Sequence, residues 1–185
     1  MALRIAVYGG SFNPPHVGHA MVASWLVWTG RCDEVWLLPV HGHPFAKDLR
    51  PFDDRVDLCE RLAKRLDGVR VCTIERELPI PSYTIDTLGE LSRRHPDHRF
   101  RLVVGADVLG QVDRWKDWAG IEAAYDPVRV GRQGYPTPPG AIDFPGVSST
   151  EIRERCVEGL PVDHLVPHDL VAPILRLYGS GSGGP

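Results

Sequence analysis

Two histidines in a segment rich in glycine and proline are the residues whose types and spacing point most directly to chemistry. Residues 9–19 read Gly-Gly-Ser-Phe-Asn-Pro-Pro-His-Val-Gly-His, between an apolar run and a helix-compatible run. If a helix begins near Val17, His16 and His19 project from one side of its first turn. Backbone N–H groups and the positive end of the helix dipole meet at such a turn, which favours phosphate oxygens. The segment therefore predicts a phosphate-binding turn.

Two other interpretations of the histidine pair stay open. The histidines can cap the helix at the surface, or they can form part of a zinc site, although no carboxylate or thiol accompanies them nearby. Phosphate binding is favoured because glycines, a hydroxyl and both imidazoles occur together. Gly9 and Gly10 lack a Cβ, so a ligand could approach their backbone closely.

A second segment, near the end of the chain, carries hydroxyls and a guanidinium. Ser148 and Glu151 have the spacing of a capping box at the start of a helix. Arg153 then lies in the first helical turn, where a cation opposes the helix dipole unless an anion is bound there. The hydroxyls after Ser148, the free N–H groups and the guanidinium fork together predict a second phosphate clamp.

Five further residues could contact a nucleotide, and each has a plainer interpretation. Asp107 ends an apolar run and could accept hydrogen bonds from ribose hydroxyls, or simply cap a helix. Trp115 and Trp118 could both be core residues, or one ring could stack on a heterocycle. Lys47 and Arg55 could steer a phosphate, or be solvated charges.

The elements that must position these residues alternate along the chain. Apolar runs predict strands at residues 3–8, 34–39, 69–74, 100–105 and 128–130. Helices are predicted to begin near residues 17, 54, 106 and 148. A further helix is predicted to end at residue 94, and the last helix is predicted to run from 167 to 178. Asp53 is the expected cap of the second helix, and Ser82 or Thr84 of the third.

This alternation predicts an α/β fold with a parallel sheet covered on both faces. We expect one domain over residues 1–178 with a helical C-terminal part, followed by a flexible tail over 179–185. Ligands bind such sheets beyond the carboxyl ends of the strands, where the strand order reverses. The turn at Gly9 and the segment from Gly105 to Asp107 would be neighbours if the first and fourth strands flank that reversal.

Composition bounds the function class. The 185 residues are 43% hydrophobic and carry a net charge of −3, so there is no overall basic field to hold nucleic acid. No apolar run approaches a membrane span. Four scattered cysteines form no zinc motif, and reduced thiols fit a cytoplasmic location. The sequence contains no Walker A motif, no GxSxG elbow and no GxGxxG fingerprint between a predicted strand and a predicted helix, which favours alignment of phosphates over a covalent intermediate.

The ordered motifs resemble those of the bacterial nicotinate-nucleotide adenylyltransferases, within the wider HxGH nucleotidyltransferase superfamily. Residues 9–19 match the family's GG-T/S-F-x-P-x-H-x-G-H signature, and residues 148–153 match its Ser-Ser-Thr-x-Ile-Arg element. The Ser-Tyr-Thr-Ile-Asp-Thr block at 82–87 is the part specific to pyridine nucleotides. The loop at 43–47 and the segment at 132–134 depart from the family's Pro-Pro-His-Lys and Arg-Pro-Gly.

The resemblance implies a Rossmann-like, doubly wound parallel sheet and transfer of an adenylyl group from ATP to nicotinate mononucleotide, with Mg²⁺ carried by ATP. The implied catalytic residues are His16, His19 and Arg153. The implied ATP-binding residues are Gly9, Gly10, Ser11, Phe12, Gly105, Asp107, Ser149 and Thr150. The implied mononucleotide-binding residues are Lys47, Arg55, Tyr83, Thr84 and Trp115, and no residue is assigned to a metal.

Other activities remain open at this stage. The acceptor could be another phosphate monoester, such as phosphopantetheine or nicotinamide mononucleotide, although the block at 82–87 argues against phosphopantetheine. A nucleotide-binding protein without turnover is an alternative of a different class. A homo-oligomer is compatible with the sequence.

Overall fold

The computed structural model describes residues 1–42 and 49–180. Its strands are β1 Arg4–Gly10, β2 Glu34–Pro39, β3 Val69–Val71, β4 Arg99–Gly105, β5 Val128–Arg132 and β6 Asp143–Phe144. Its α-helices are α1 Val17–Trp28, α2 Phe52–Ala63, α3 Thr84–Arg94, α4 Ala106–Leu109, α5 Trp118–Tyr125, α6 Ser149–Glu158 and α7 His168–Tyr178. Single 3-10 turns occur at Ile74–Glu77 and Val112–Arg114.

The six strands form one parallel sheet in the order β3-β2-β1-β4-β5-β6. Strand β1 pairs with both β2 and β4, so Ile5 lies between Glu34 and Phe100. The strand order therefore reverses between β1 and β4. This arrangement confirms the expected Rossmann-like parallel sheet, and it places the ends of β1 and β4 side by side.

Two apolar layers cover the sheet because side chains alternate along each strand. Ile5 and Val7 of β1 point to the face covered by α3 and α5, where they pack with Leu88 and Ile121. Ala6 points to the opposite face, where α1, α2, α6 and α7 pack. A sheet that is buried on both faces requires nearly continuous apolar strands, as β2 shows with five buried residues in succession.

Several element boundaries differ from the sequence-based expectations. Helix α2 begins at Phe52 with Pro51 at its N-cap, so Asp53 lies in the first turn and is not the cap. Strand β3 ends at Val71, and the apolar Ile74 begins a 3-10 turn instead of ending the strand. Tyr83 occupies the N-cap of α3, so neither of the expected hydroxyl residues caps it.

The two ends of the C-terminal region have different outcomes. The last helix ends at Tyr178, as expected. Residues 181–185 lie outside the described residues, so the flexible tail over 179–185 stays a prediction. Within the described part of the chain, no helix is long and apolar enough to cross a membrane.

The last residue of α7 is tied to the loop after β1, which allows a test of this fold. The Tyr178 hydroxyl donates to Asn13 Oδ1 at 2.7 Å, and both side chains are buried. We expect Y178F to lower the free energy of unfolding by about 1–2 kcal/mol, because a buried acceptor loses a donor. Urea denaturation of this variant and of Y135F, whose ring is exposed, provides the measurement and its control. Equal stability of the two variants would contradict the prediction.

Candidate active site

The loop between β1 and α1, residues 11–16, forms one wall of the site. Strand β1 runs through both glycines to Gly10, and His16 is the N-cap of α1. The two glycines differ in their surroundings. A Cβ at Gly9 would meet nothing within 4 Å, whereas one at Gly10 would lie 3.3 Å from the Phe12 ring. Gly9 therefore has open space beside its Cα, whereas Gly10 makes room for a ring that is 1% exposed, and both glycines line the same cavity.

The two histidine rings stack against each other at the start of α1. Their centroids are 3.8 Å apart, with 32° between the planes. The backbone N–H of His16 donates to His19 Nδ1 at 3.1 Å. Because this Nδ1 acts as an acceptor, the neutral His19 ring carries its proton on Nε2. The ring can therefore donate a hydrogen bond to an anion through Nε2–H.

Burial keeps both imidazoles neutral. Desolvation, together with the charge of Arg132, lowers the pKa of His16 to about 3. Desolvation is also the main cause that holds the pKa of His19 well below 6.5, with smaller contributions from His16 and Arg132. In the ligand-free state these rings are hydrogen-bonding groups and not cations. Positive charge near them comes from arginine side chains.

Helix α6 begins directly beside the β1–α1 loop. The Ser149 hydroxyl donates to the Pro14 carbonyl oxygen at 2.8 Å, and Arg153 Nη1 donates to that of Asn13 at 2.7 Å. Arg153 Nη2 also reaches Thr150 Oγ1 at 3.2 Å. Ser148 caps the helix by accepting from Glu151 N at 3.1 Å, as the sequence predicts. The structure thus brings the two expected phosphate segments together.

A cavity of about 770 Å³ lies beyond the carboxyl ends of β1 and β4. Its size is within the range of ligand sites. His19 and Arg153 line the same cavity, together with the other expected residues that the structure describes, apart from Arg55. These residues are Gly9, Gly10, Ser11, Phe12, His16, His19, Tyr83, Thr84, Gly105, Asp107, Trp115, Ser149, Thr150 and Arg153.

Two expected mononucleotide contacts are not in this set. Lys47 lies in 43–48, outside the described residues. Arg55 is 1% exposed, and its guanidinium donates to the carbonyl oxygens of Arg50, Ser11 and Val40. The expectation that Arg55 contacts the mononucleotide is corrected, because its donors are directed to main-chain carbonyls beneath the cavity.

Arg132 is a site residue that sequence reasoning missed. Its Nη1 pairs with Asp107 Oδ2 at 2.5 Å, and its Nη2 donates to the Val147 carbonyl oxygen at 2.9 Å. Strand β5 extends to Arg132, which places the side chain at the carboxyl edge of the sheet. The available signal was its position after a predicted strand, beside the Gln-Gly that departs from the family pattern. Asp107 is consequently paired, and a Cβ at Gly105 would lie 2.5 Å from its Oδ1, so a larger residue there would displace the carboxylate.

Aromatic side chains line the far end of the cavity. Trp115 lies edge-to-face against Trp118, with the ring centroids 5.7 Å apart, and only Trp115 lines the cavity. Lys116 was not expected here: its ammonium lies 5.2 Å from the Tyr83 ring centroid and pairs with Asp86 at 2.7 Å. This end can offer flat apolar surface to a ring, while the opposite end offers donors to anions.

The fold and this site define a class of protein. A parallel sheet that reverses between β1 and β4, with a histidine pair and the start of a later helix in one cavity, suits the binding of a nucleotide. The family model described as cytidylyltransferase-like matches residues 7–155.

Relatives narrow the class further. A protein of Anaeromyxobacter sp. (strain K) is 50% identical over 171 residues, which is 91% of each chain. One of Myxococcus xanthus is 41% identical over 174 residues, 92% of this chain and 91% of its own. Both are named "Probable nicotinate-nucleotide adenylyltransferase". The chain belongs to the nicotinate-nucleotide adenylyltransferase family.

A solved structure supports the fold at lower identity. The Plasmodium falciparum nicotinic acid mononucleotide adenylyltransferase, complexed with NaAD, superposes with a TM-score of 0.79. It is 18% identical, and the match covers 95% of this chain and 97% of that one. The resemblance of folds therefore extends well beyond the recognisable sequence.

The neutral histidine pair predicts a pH dependence of stability. The unfolded chain binds protons at histidine below about pH 6.5, whereas folded His16 binds one only near pH 3. Folding stability is therefore present above pH 6.5 and is lost as the pH falls toward 3. Between pH 7 and pH 5 the contribution of His16 is about 2 kcal/mol. We expect H16Q to lose about that much less stability than the wild type over this interval, measured by urea denaturation at both pH values.

The other histidines are common to both proteins and cancel in this comparison, apart from His19, whose pKa is lowered mainly by its own burial and only secondarily by His16. Parallel pH profiles for wild type and H16Q would show that His16 titrates normally in the folded chain.

Proposed function

We propose that this protein transfers the adenylyl group of ATP to the phosphate of nicotinate mononucleotide, producing deamido-NAD and pyrophosphate. One observation carries the proposal: His19 and Arg153, from opposite ends of the chain, line one cavity whose other end is aromatic. An adenylyl transfer needs two phosphate-bearing substrates aligned in one place, and the cavity offers donors for phosphates and flat surface for a ring.

The reaction in this proposal is an in-line displacement at the α-phosphorus of ATP. The mononucleotide phosphate attacks, the bond to the pyrophosphate oxygen breaks, and pyrophosphate leaves. His19 Nε2–H and His16 donate to the ATP phosphates, and Arg153 supplies fixed positive charge. Neutral imidazoles suit this role, since they stabilise developing charge without having to transfer a proton.

The remaining contacts in the proposal follow the two ends of the cavity. The ATP-binding set comprises Gly9, Gly10, Ser11, Phe12, Gly105, Asp107, Ser149 and Thr150. For Phe12 and Asp107 the role is indirect in this state, because Phe12 is buried and Asp107 is paired with Arg132. The mononucleotide set is Tyr83, Thr84 and Trp115, with Lys47 kept as a prediction.

We propose that Mg²⁺ enters with ATP. Within residues 1–42 and 49–180, no group of three or more His, Cys, Asp or Glu side chains is arranged to hold a metal. Phosphate oxygens and water commonly complete the coordination of Mg²⁺, so an ion carried on the triphosphate fits these residues. It would offset negative charge on the phosphates.

The cellular setting belongs to the same proposal. We propose a cytoplasmic enzyme whose catalytic unit is residues 1–178, which acts on small nucleotides and not on nucleic acid. The four cysteines are free thiols, three of them buried, which suits a reducing compartment. Self-association into a homo-oligomer is compatible with this function.

The activity itself is the first test. Purified protein is incubated with ATP, Mg²⁺ and one of three acceptors: nicotinate mononucleotide, nicotinamide mononucleotide or phosphopantetheine. We expect pyrophosphate and deamido-NAD with the first acceptor, at the highest kcat/KM of the three. H19A should lose turnover far more than thermal stability, whereas H164A, at an exposed histidine, should keep both. Binding of ATP without any product would instead indicate a nucleotide-binding protein.

A matched pair of arginines on α6 tests the proposed phosphate clamp. R153A removes a guanidinium that lines the cavity, and R155A removes one that pairs with Glu151 away from it. We expect R153A to lower kcat/KM for ATP by roughly 5- to 150-fold, equivalent to about 1–3 kcal/mol of charge-assisted hydrogen bonding. R155A should stay within a factor of three. Unchanged ATP kinetics in R153A would remove Arg153 from the site.

A further inference from the structure

Two buried residues of opposite charge contact the same peptide group: Arg55 lies beneath the cavity, and Glu75 is part of the cavity wall. Arg55 donates through Nη2 to the Val40 carbonyl oxygen at 2.8 Å. Glu75, 6% exposed, accepts through Oε2 from the backbone N–H of His41 at 3.0 Å. The carbonyl of Val40 and the N–H of His41 belong to one peptide unit. A guanidinium and a carboxylate therefore hold this unit from opposite sides, with a charge-assisted hydrogen bond at each end.

Arg55 connects this peptide unit to the phosphate end of the cavity. Its Nη1 donates to the Ser11 carbonyl oxygen at 2.8 Å, within the β1–α1 loop. Its Nε donates to the Arg50 carbonyl oxygen at 2.9 Å, just before α2. One planar guanidinium thus fixes the relative positions of three backbone segments.

Glu75 connects the same peptide unit to the mononucleotide end. It accepts from the Ser82 hydroxyl at 2.9 Å and from the Thr87 hydroxyl at 3.3 Å. Ser82 and Thr87 are buried on either side of Tyr83 and Thr84, and Ser82, Tyr83 and Thr84 line the cavity. Among the residues that the structure describes, Glu75 forms no direct ion pair, so its charge is met by the His41 N–H and the Ser82 hydroxyl, and by a Thr87 hydroxyl that also lies 3.2 Å from the Tyr83 carbonyl oxygen.

We propose that Arg55 and Glu75 are positioning residues that act as one unit and set the spacing between the two substrate subsites. The connection runs from Ser11 through Arg55, the Val40–His41 peptide and Glu75 to Ser82 and Thr87. It rests on the proposed function, because in-line transfer requires the acceptor phosphate to meet the α-phosphorus at one distance and angle. A misplacement of about 1 Å can cost 100-fold in rate.

Burial of both charges argues for this role over simple stabilisation. Removing two charges from water opposes folding, and apolar side chains of similar size often stabilise a fold as well or better. What apolar side chains cannot do is orient backbone carbonyls and hydroxyls in fixed directions. The geometry here uses all three nitrogens of the Arg55 guanidinium and both oxygens of Glu75 for that purpose.

The test separates alignment from binding. We compare wild type, E75Q and S82A with E77Q, the matched control, whose carboxylate is exposed and pairs with Arg94. Kd values for Mg-ATP and for the acceptor are measured separately by calorimetry, and the single-turnover rate is measured with both substrates saturating. We expect E75Q to lower that rate at least 10-fold, while each Kd stays within threefold of the wild-type value. S82A should show the same pattern with a smaller loss of rate, and E77Q should match the wild type.

A double-variant comparison tests whether the two residues act as a unit. R55K combined with E75Q should be no slower than the slower single variant, since either change already breaks the connection. The proposal would be overturned if the double variant lost the product of the two single-variant losses in rate. It would also be overturned if the single variants kept the saturating rate while both Kd values weakened in proportion to a lower Tm. If R55K does not fold, E75Q and S82A decide alone.

The acceptor used is whichever one the wild type converts. If the nicotinate assignment is wrong, the wild type will not convert nicotinate mononucleotide. If the positioning role is wrong, only the rates measured for the variants will show it.

Discussion

The site depends on two hydrogen bonds that join segments far apart in the chain. Ser149 to the Pro14 carbonyl and Arg153 to the Asn13 carbonyl span 135 and 140 residues, respectively. They hold the start of α6 against the β1–α1 loop, so that two helix N-termini face one cavity. Tyr178 reinforces the arrangement from α7 through the side chain of Asn13.

Main-chain carbonyls are the common partners of the arginines around this cavity. Arg153 donates to Asn13, Arg132 to Val147 and Arg55 to three carbonyls at once. Loops at the carboxyl edge of a parallel sheet leave carbonyl oxygens without ladder partners, and a guanidinium offers five donors in a fixed plane to satisfy them. The same cations place positive charge beside imidazoles that burial keeps neutral. Structural order and the electrostatics of the site therefore come from the same side chains.

Much of the fold could be predicted from the sequence, because strands and helices follow from patterns among neighbouring residues. Apolar runs identified all of the longer strands, and β2 was predicted with its observed bounds. Two predicted element boundaries were wrong. Ile74 is apolar but begins a 3-10 turn instead of ending β3, and Pro51, not Asp53, is the N-cap of α2. The site residues that come from the ordered motifs line one cavity. Arg132 was passed over although it matches the Arg of the family's Arg-Pro-Gly element, and Lys116 was missed because it belongs to no motif.

The sequence by itself determined the alternation of strands and helices, the capping residue of α6 and the residue types that can bind phosphate, since each depends on neighbours in the chain. The tertiary structure decided which side chains face the ligand. Arg55, read as a phosphate contact, is enclosed beneath the cavity, and the Phe12 ring packs against the space where a Cβ of Gly10 would lie. Those outcomes depend on which carbonyls and rings lie near each side chain after packing. The separation of two residues along the chain does not determine their distance in the folded protein.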